Sequence, residues 1–424
     1  MCSKLVQKSD KWKDKLQEVA LGYEYKNKAE IFDSKKIRNL YGKKMNISVS
    51  RLEKFVECPF SYFVQYGLKA KDRKIYKLNA PDLGTLMHEC LYCFSDKLKS
   101  EGINWNEIHK QWSEETISEI VDTIVNKSPG SILNSSKRYN YITDNVKNIL
   151  KRSISLITEH IKRGEFIPSG YEVSFGLNGE FPPIEVELNS GEKVSLIGKV
   201  DRVDMLENKE LNEKYIRIVD YKSGNKEFKI TDVYYMLQMQ LLIYLDAILT
   251  EVGKEVEEEV LPAGILYFKL DNPIIRTNGE IQQEDIETRI MKALKMNGLI
   301  INNINIIQSM DSELKGASEI IPVTINKDAS ISSRSACASL EQFEILRRYV
   351  KDSIKNICEE ILEGNISIEP YKKKGSTPCK YCSYFSICQF DSSFKDNKYR
   401  ILKEEKEEEI WKLIKEEVGS KNLL

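Results

Sequence analysis

No apolar run in this 424-residue chain approaches the ~20 residues needed to span a bilayer. The opening Met1-Cys2-Ser3-Lys4 lacks the apolar core of a secretory signal. A Gly-x-x-x-x-Gly-Lys-Ser/Thr loop is absent, and with it the sign of an ATP-binding P-loop. No internal repeat and no long low-complexity tract occurs. Net charge is only −1, so whole-chain electrostatics does not point to nucleic acid. These absences predict a cytoplasmic chain, in which nine cysteines do not read as a disulfide framework. What remains is 41% hydrophobic and 30% charged, a soluble globular composition with about three domains' worth of chain.

Two stretches carry the chemistry. The first is Gly198-Lys199-Val200-Asp201-Arg202-Val203-Asp204, and the second is Ile218-Val219-Asp220-Tyr221-Lys222-Ser223-Gly224. Side chains alternate along a strand, so Lys222 shares a face with Asp220. Apolar neighbours surround both aspartates, and charges in such strands must be paired or metal-bound. Two carboxylates and an ammonium around one point suit a metal-dependent nuclease. Carboxylates are hard donors for Mg²⁺, and the cation lowers the pKa of a water and neutralises charge on a phosphodiester. The lysine orients that water or stabilises the developing charge. An ordinary strand salt bridge is the plainer reading of the same residues.

Local charge says more than net charge. Between Ser34 and Leu78 twelve Lys/Arg face three acids, with Tyr41, Phe55, Phe60, Tyr62, Phe63, Tyr66 and Tyr76 interleaved. Basic groups with aromatics compose a single-strand path. Aromatics used as core and lysines used as a solvated face are the alternative.

Along the chain, residues 1–44 read as a polar leader. Helices are expected over Ser48–Leu68 and from Pro81-Asp82 through Leu98, with two or three more in 105–165. Strands are expected at 171–176, 184–188, 193–206, 214–222 and 259–269. A buried helix is expected over Thr231–Leu249, another over 338–363, and a charged amphipathic one over 398–418. Its Glu405-to-Glu409 cluster reads as a solvated face. Domain boundaries follow: 1–44, then 45–395 (helical part 45–165, core 170–270, C-terminal part 271–395), then 396–424.

His88 lies off the apolar stripe of its helix, with Gly84 one turn before it. Position alone reads it as a partly exposed helix histidine, while the open space also admits a metal or DNA contact. Gln240 and Tyr244 are four apart and share a helix face. A buried amide at Gln240 needs partners, which a catalytic group or a plain carbonyl would supply.

Near the end, Cys379, Cys382 and Cys388 have metal-ligand spacing. Cys58, in Val56-Glu57-Cys58-Pro59-Phe60, is the best fourth ligand. Cys90 and Cys93 read as buried thiols, as do Cys337 and Cys358. Spacing does not separate zinc from iron–sulfur; the missing second C-x-x-C favours iron–sulfur.

Taken together, these motifs resemble the C-terminal nuclease region of the AddB family, subunits of the bacterial AddAB helicase–nuclease. The resemblance runs from about Leu40 to the end. It rests on Leu40-Tyr41-Gly42, Ser48-Val49-Ser50-Arg51, Cys58-Pro59-Phe60, Ala80-Pro81-Asp82-Leu83-Gly84 with His88, Gly198…Asp201-Arg202, Asp220-Tyr221-Lys222-Ser223-Gly224, Gln240…Tyr244 and the final three cysteines. It implies an α/β, restriction-endonuclease-like PD-(D/E)XK fold of RecB type, with a mixed central sheet, flanking helices and an iron–sulfur staple. It implies catalytic roles for Asp201, Asp220, Lys222, Gln240 and Tyr244. His88, Asp201, Asp220 and Tyr221 would form the Mg²⁺ site. Cys58, Cys379, Cys382 and Cys388 would hold a 4Fe–4S cluster. The expected function is a DNA exonuclease of double-strand-break end processing and recombinational repair, acting on the 5′-ended single strand and paired with AddA. AddB proteins carry a long helicase-like region before this nuclease, of which 1–44 would be a remnant. The alternatives are a stand-alone RecB-family exonuclease of the CRISPR-associated type and a non-catalytic iron–sulfur DNA-binding module.

Overall fold

The computed structural model describes residues 10–421 apart from 24–25, 30–32, 43–44, 72–76, 128–132, 134, 277–278, 280–281 and 395. The chain divides into two compact units, each discontinuous in sequence. One comprises Met1–Lys44, Arg51–Asp72 and Asn356–Glu404; the other comprises Met45–Ser50, Arg73–Lys355 and Glu405–Leu424.

The larger unit is built on one mixed sheet of eight strands: β1 (Asn46–Ser48), β2 (Ile167–Phe175), β3 (Ile184–Glu187), β4 (Lys193–Asn208), β5 (Glu213–Lys222), β6 (Glu259–Lys269), β7 (Asn297–Ile301) and β8 (Cys337–Ala338). Its order is β1-β4-β5-β6-β7-β8, with β2 and β3 also paired to β4. Strands β4 and β5 run antiparallel, whereas β5 and β6 run parallel. Residues 215–221 and 262–268 are buried without interruption. That pattern belongs to parallel strands covered on both faces. A parallel pair needs a crossover, and the helices Ile230–Tyr234 and Gln240–Glu255 provide it. The second packs on β4, β5 and β6 and buries every residue from Leu241 to Leu249.

Helices Ala80–Glu101, Lys110–Lys127 and Lys137–Lys162 pack on one another, and the first also reaches β2. The first begins where sequence chemistry says it should. Pro81 occupies the first turn, the Asp82 carboxylate accepts the Asn79 N–H at 2.8 Å, and Gly102 ends it at φ +67°. The α/β class and the mixed sheet with flanking helices are as expected from sequence.

Three expected helices differ. The Ser48–Leu68 helix is broken: β1 ends at Ser48, helix Val49–Glu57 follows, and Cys58 is extended at φ −168° and ψ 114° before helix Pro59–Tyr62 and a π-turn Phe63–Gly67. Proline clashes with a helical residue before it, so Cys58 is pushed out of the helix. The Thr231–Leu249 helix is also two, separated where Met236 takes φ +57°. The break frees the Gln238 amide to bond the Glu227 carbonyl and the Lys229 N–H. At the C-terminus, Ile401 is 64% exposed in a short strand, and the helix covers Glu407–Lys421 with Ile410, Ile414 and Val418 buried. The Glu405-to-Glu409 cluster is solvent-exposed.

The smaller unit has its own core, in which Ile37, Phe63, Val64 and Ile366 are buried and Leu40, Tyr41, Phe60 and Tyr384 pack against them. Strands β9 (Tyr371–Lys372) and β10 (Arg400–Ile401) pair in parallel within it.

Candidate active site

Four elements of the larger unit bring the singled-out residues together. Asp201 comes from β4, Asp220 and Lys222 from β5, His88 from helix Ala80–Glu101, and Gln240 and Tyr244 from helix Gln240–Glu255. His88 Nδ1 lies 3.2 Å from Asp201 Oδ1. The other Asp201 oxygen accepts the Tyr221 backbone N–H at 2.7 Å. Asp220 Oδ2 lies 2.5 Å from Lys222 Nζ. Gln240 Nε2 donates to Asp220 Oδ1 at 3.2 Å, which answers where its amide is satisfied.

The charges explain one another. Burial pushes the Asp220 carboxyl up to about 6, and the neighbouring Asp201 charge adds to it against the opposing pull of Lys222. Burial works against the charged form of His88, but the hydrogen bond and charge of Asp201 outweigh it and raise its pKa. Two buried carboxylates whose charges act on one another make a candidate cation site.

Glu172 is the residue that motif reading missed. Its carboxylate, His88 and Asp201 present ligand atoms all within 4.8 Å of one another. In the ladder Tyr171 pairs with Arg202 and Val173 with Val200, which brackets Glu172 against Asp201. Its backbone is left-handed at φ +52°, and its side chain pairs with Lys199. The signal available in sequence was a lone acid flanked by Tyr171 and Val173 within the expected strand 171–176. The donor set is two carboxylates and one imidazole, with Asp220 close by, which suits a divalent cation with a preference for oxygen.

Tyr221 sits differently from the other candidate metal ligands. Its ring is 4% exposed, edge-on to Phe268 at 5.9 Å. The Arg202 guanidinium acts on its hydroxyl, whose pKa burial pushes up to about 12. Any metal contact from Tyr221 therefore falls to its main-chain carbonyl. Tyr244 acts on the backbone: its hydroxyl accepts the Lys199 N–H at 3.4 Å. A Cβ on Gly198 would stand 2.5 Å from that hydroxyl, so only glycine lets the ring lie there. Gly84 is a milder case: a Cβ would stand 3.2 Å from Ser223 Oγ, where the His88 helix passes the loop after Lys222, a tight contact that a small shift of the serine side chain would relieve.

The cysteines separate as well. Cys58, Cys379, Cys382 and Cys388 line one cavity of the smaller unit. Burial pushes the Cys58 thiol up to about 11, and Cys379 adds to it. Cys90 is fully buried, with its thiol pushed up to about 12 by burial, as a structural thiol should be. In the basic segment the aromatics serve packing. Phe55, Tyr62 and Phe63 are buried, and Arg51 lies 4.4 Å over the Tyr66 ring. Lys35, Lys36, Arg38, Lys69, Lys71 and Lys77 are exposed; Lys43, Lys44, Arg73, Lys74 and Tyr76 lie outside the described residues.

Comparison with known proteins agrees with this geometry. Residues 46–389 match the model of the PD-(D/E)XK nuclease superfamily. The chain belongs to that superfamily. It is 54% identical over 408 residues, 96% of its length, to one of the subunits of the ATP-dependent helicase/deoxyribonuclease of Clostridium kluyveri. It is 48% identical over 408 residues to the like-named protein of Acetivibrio thermocellus, again across 96% of the chain. It spans about a third of the length of these curated relatives, 35% in both cases.

Proposed function

We propose that the larger unit is a Mg²⁺-dependent DNA exonuclease. It would work as part of a helicase–nuclease pair with an AddA partner on the 5′-ended single strand of a broken duplex. The observation that carries this reading is the convergence of His88, Asp201, Asp220 and Lys222, with Gln240 holding Asp220. It is supported by relatives whose names join a helicase to a deoxyribonuclease.

His88, Asp201, Asp220 and the Tyr221 carbonyl would hold the cation, with Glu172 beside them. Such a cation would supply positive charge for the phosphodiester and acidify a water for attack. Lys222 keeps its ammonium beside Asp220 and offers it to the attacking water or to a non-bridging phosphate oxygen. Gln240 fixes the Asp220 rotamer. Tyr244 fixes the main chain at Lys199, two residues before Asp201.

The test is Lys222→Ala on an end-labelled single strand. Cleavage with Mg²⁺ should fall at least about 100-fold, the scale for losing one group that stabilises transition-state charge. DNA binding in Ca²⁺ should persist. Cutting at the wild-type rate by this variant defeats the assignment. Comparing 5′- and 3′-blocked strands reads the polarity. As a second readout, Ca²⁺ should raise the melting temperature of the wild type but not of Asp201→Asn.

We further infer that the four cysteines of the smaller unit hold a 4Fe–4S cluster. All four line one cavity, and the sequence has no second C-x-x-C of the kind zinc ribbons pair with the first. Together these support a cluster over a single zinc ion. Protein purified without oxygen should contain iron and sulfide and keep them when Cys90 or Cys93 is replaced. Zinc without iron would overturn the inference.

A further inference from the structure

Beside the candidate active site is a polar cavity of ≈ 640 Å³ that Lys222 shares. Lys226, Lys229, Lys269 and Lys295 line it too, against Glu227 and Asp232 as the acids. Lys269 pairs with Asp271 and Lys229 with Glu227. Among the described residues neither Lys226 nor Lys295 has a carboxylate within ion-pair distance, and both are half-buried. Lys222 and Lys226 also crowd one aromatic ring, their ammoniums 5.9 and 5.5 Å from the Tyr267 centroid. The ring face offsets part of their mutual repulsion. Half-buried ammoniums without a carboxylate partner raise the local potential and draw in an anion.

The wall that carries Lys226 and Lys229 is an irregular loop, yet its backbone is clamped. Gln238 bonds the Glu227 carbonyl at 2.7 Å and the Lys229 N–H at 3.2 Å. Asn297 bonds the Phe228 N–H at 2.8 Å and the Lys226 carbonyl at 3.1 Å. Two side-chain amides thus satisfy four consecutive backbone residues. A mere connection between Lys222 and the next helix does not need such fixing; a surface that presents charges at set positions does.

We propose that this cavity is a trough for the phosphodiester backbone of the scissile single strand, with Lys226 and Lys295 neutralising phosphates next to the one being cut. The proposal rests on the nuclease reading above and names where its substrate lies. The lining is more polar than apolar and rich in lysine, which disfavours an apolar small molecule. The continuity with Lys222 makes the trough an extension of the reaction site.

The test is the double variant Lys226→Gln/Lys295→Gln of the full chain, with binding of a labelled oligothymidylate measured in Ca²⁺ at low and at physiological salt. Each lost phosphate contact lowers the salt slope on a single strand by about 0.7, so the double variant should lose about 1.4. The double arginine variant should keep the wild-type slope. A control, Lys412→Gln/Lys415→Gln on the last helix, should leave it unchanged. An unchanged slope in the glutamine variant overturns the proposal, as does an equal loss in the control. The two readings fail separately: a wild type that does not cleave with Mg²⁺ defeats the nuclease reading, while one that cleaves and keeps its slope in the glutamine variant defeats only the trough.

Discussion

Asp201 and Asp220 are carboxyl groups buried where water is nearly absent, and the residues around them are suited to that. The opposite face of β4 shows the same economy. Arg202 and Arg217 are fully buried and share Asp204, Arg217 Nη2 lying 2.7 Å from Asp204 Oδ2. His160 lies among them, 2% exposed and edge-on to Phe268 at 5.7 Å. Burial, then the charges of Arg202, Arg217 and Arg163, push its pKa down to about 3. His160 is thus neutral in the fold, while in the unfolded chain it titrates near 6.5. Stability is complete above the unfolded pKa and falls as pH drops below it, because only the unfolded state gains the proton. Between pH 7 and 5 this residue should cost ~2 kcal/mol. In urea unfolding, His160→Phe should be less acid-sensitive than the wild type by about that amount; parallel pH curves would refute it. Gly198→Ala should destabilise by ~1–3 kcal/mol through the clash with Tyr244, and add little in a Tyr244→Ala background.

At the scale of elements, breaks matter as much as the helices and strands. The break at Cys58 turns a stretch with helical periodicity into two pieces and leaves Cys58 at the cavity shared with Cys379, Cys382 and Cys388. The break at Met236 starts a new helix at Gln240, so the amide meets Asp220 in its first turn. The last helix docks by Ile410, Ile414 and Val418 on the Ile230–Tyr234 helix, and Tyr234 donates to Glu417 at 3.1 Å. Ile414→Ala should weaken that docking by ~2–4 kcal/mol. Hydrogen exchange across 407–421 should accelerate accordingly; unchanged protection would show that the helix holds by its own propensity.

For the whole molecule, the separation of Cys58 from Cys379 by more than three hundred residues is the dominant fact. If both ligate one cluster, the loop they close limits the unfolded chain. By analogy with disulfide loops this is worth on the order of 5 kcal/mol. A typical domain has ~5–15 kcal/mol in all. Cys58→Ala should therefore lose the iron and lower the melting temperature markedly. A variant with full iron content and wild-type stability would mean that the fourth ligand is elsewhere.

The motifs around Asp201, Asp220 and Lys222 were legible in the sequence because strand alternation alone puts Asp220 and Lys222 on one face and apolar neighbours bury the two aspartates. The β6 strand was legible to its ends, as an unbroken apolar run between charged residues. Strand order was not, and the meeting of His88 with Asp201 across 113 positions was implied by the family resemblance and not by spacing or periodicity. Glu172 escaped because a single acid in a strand has no periodic signature; only the antiparallel ladder sets it opposite Asp201. The lysine-lined cavity was equally hidden, since Lys226, Lys269 and Lys295 come from separate segments and their charges vanish in a net of −1. Local periodicity and motif spacing are properties of neighbours along the chain, and the sequence by itself determined those. Which distant charges share a dry volume depends on sheet register and helix docking, and only the tertiary structure decided that.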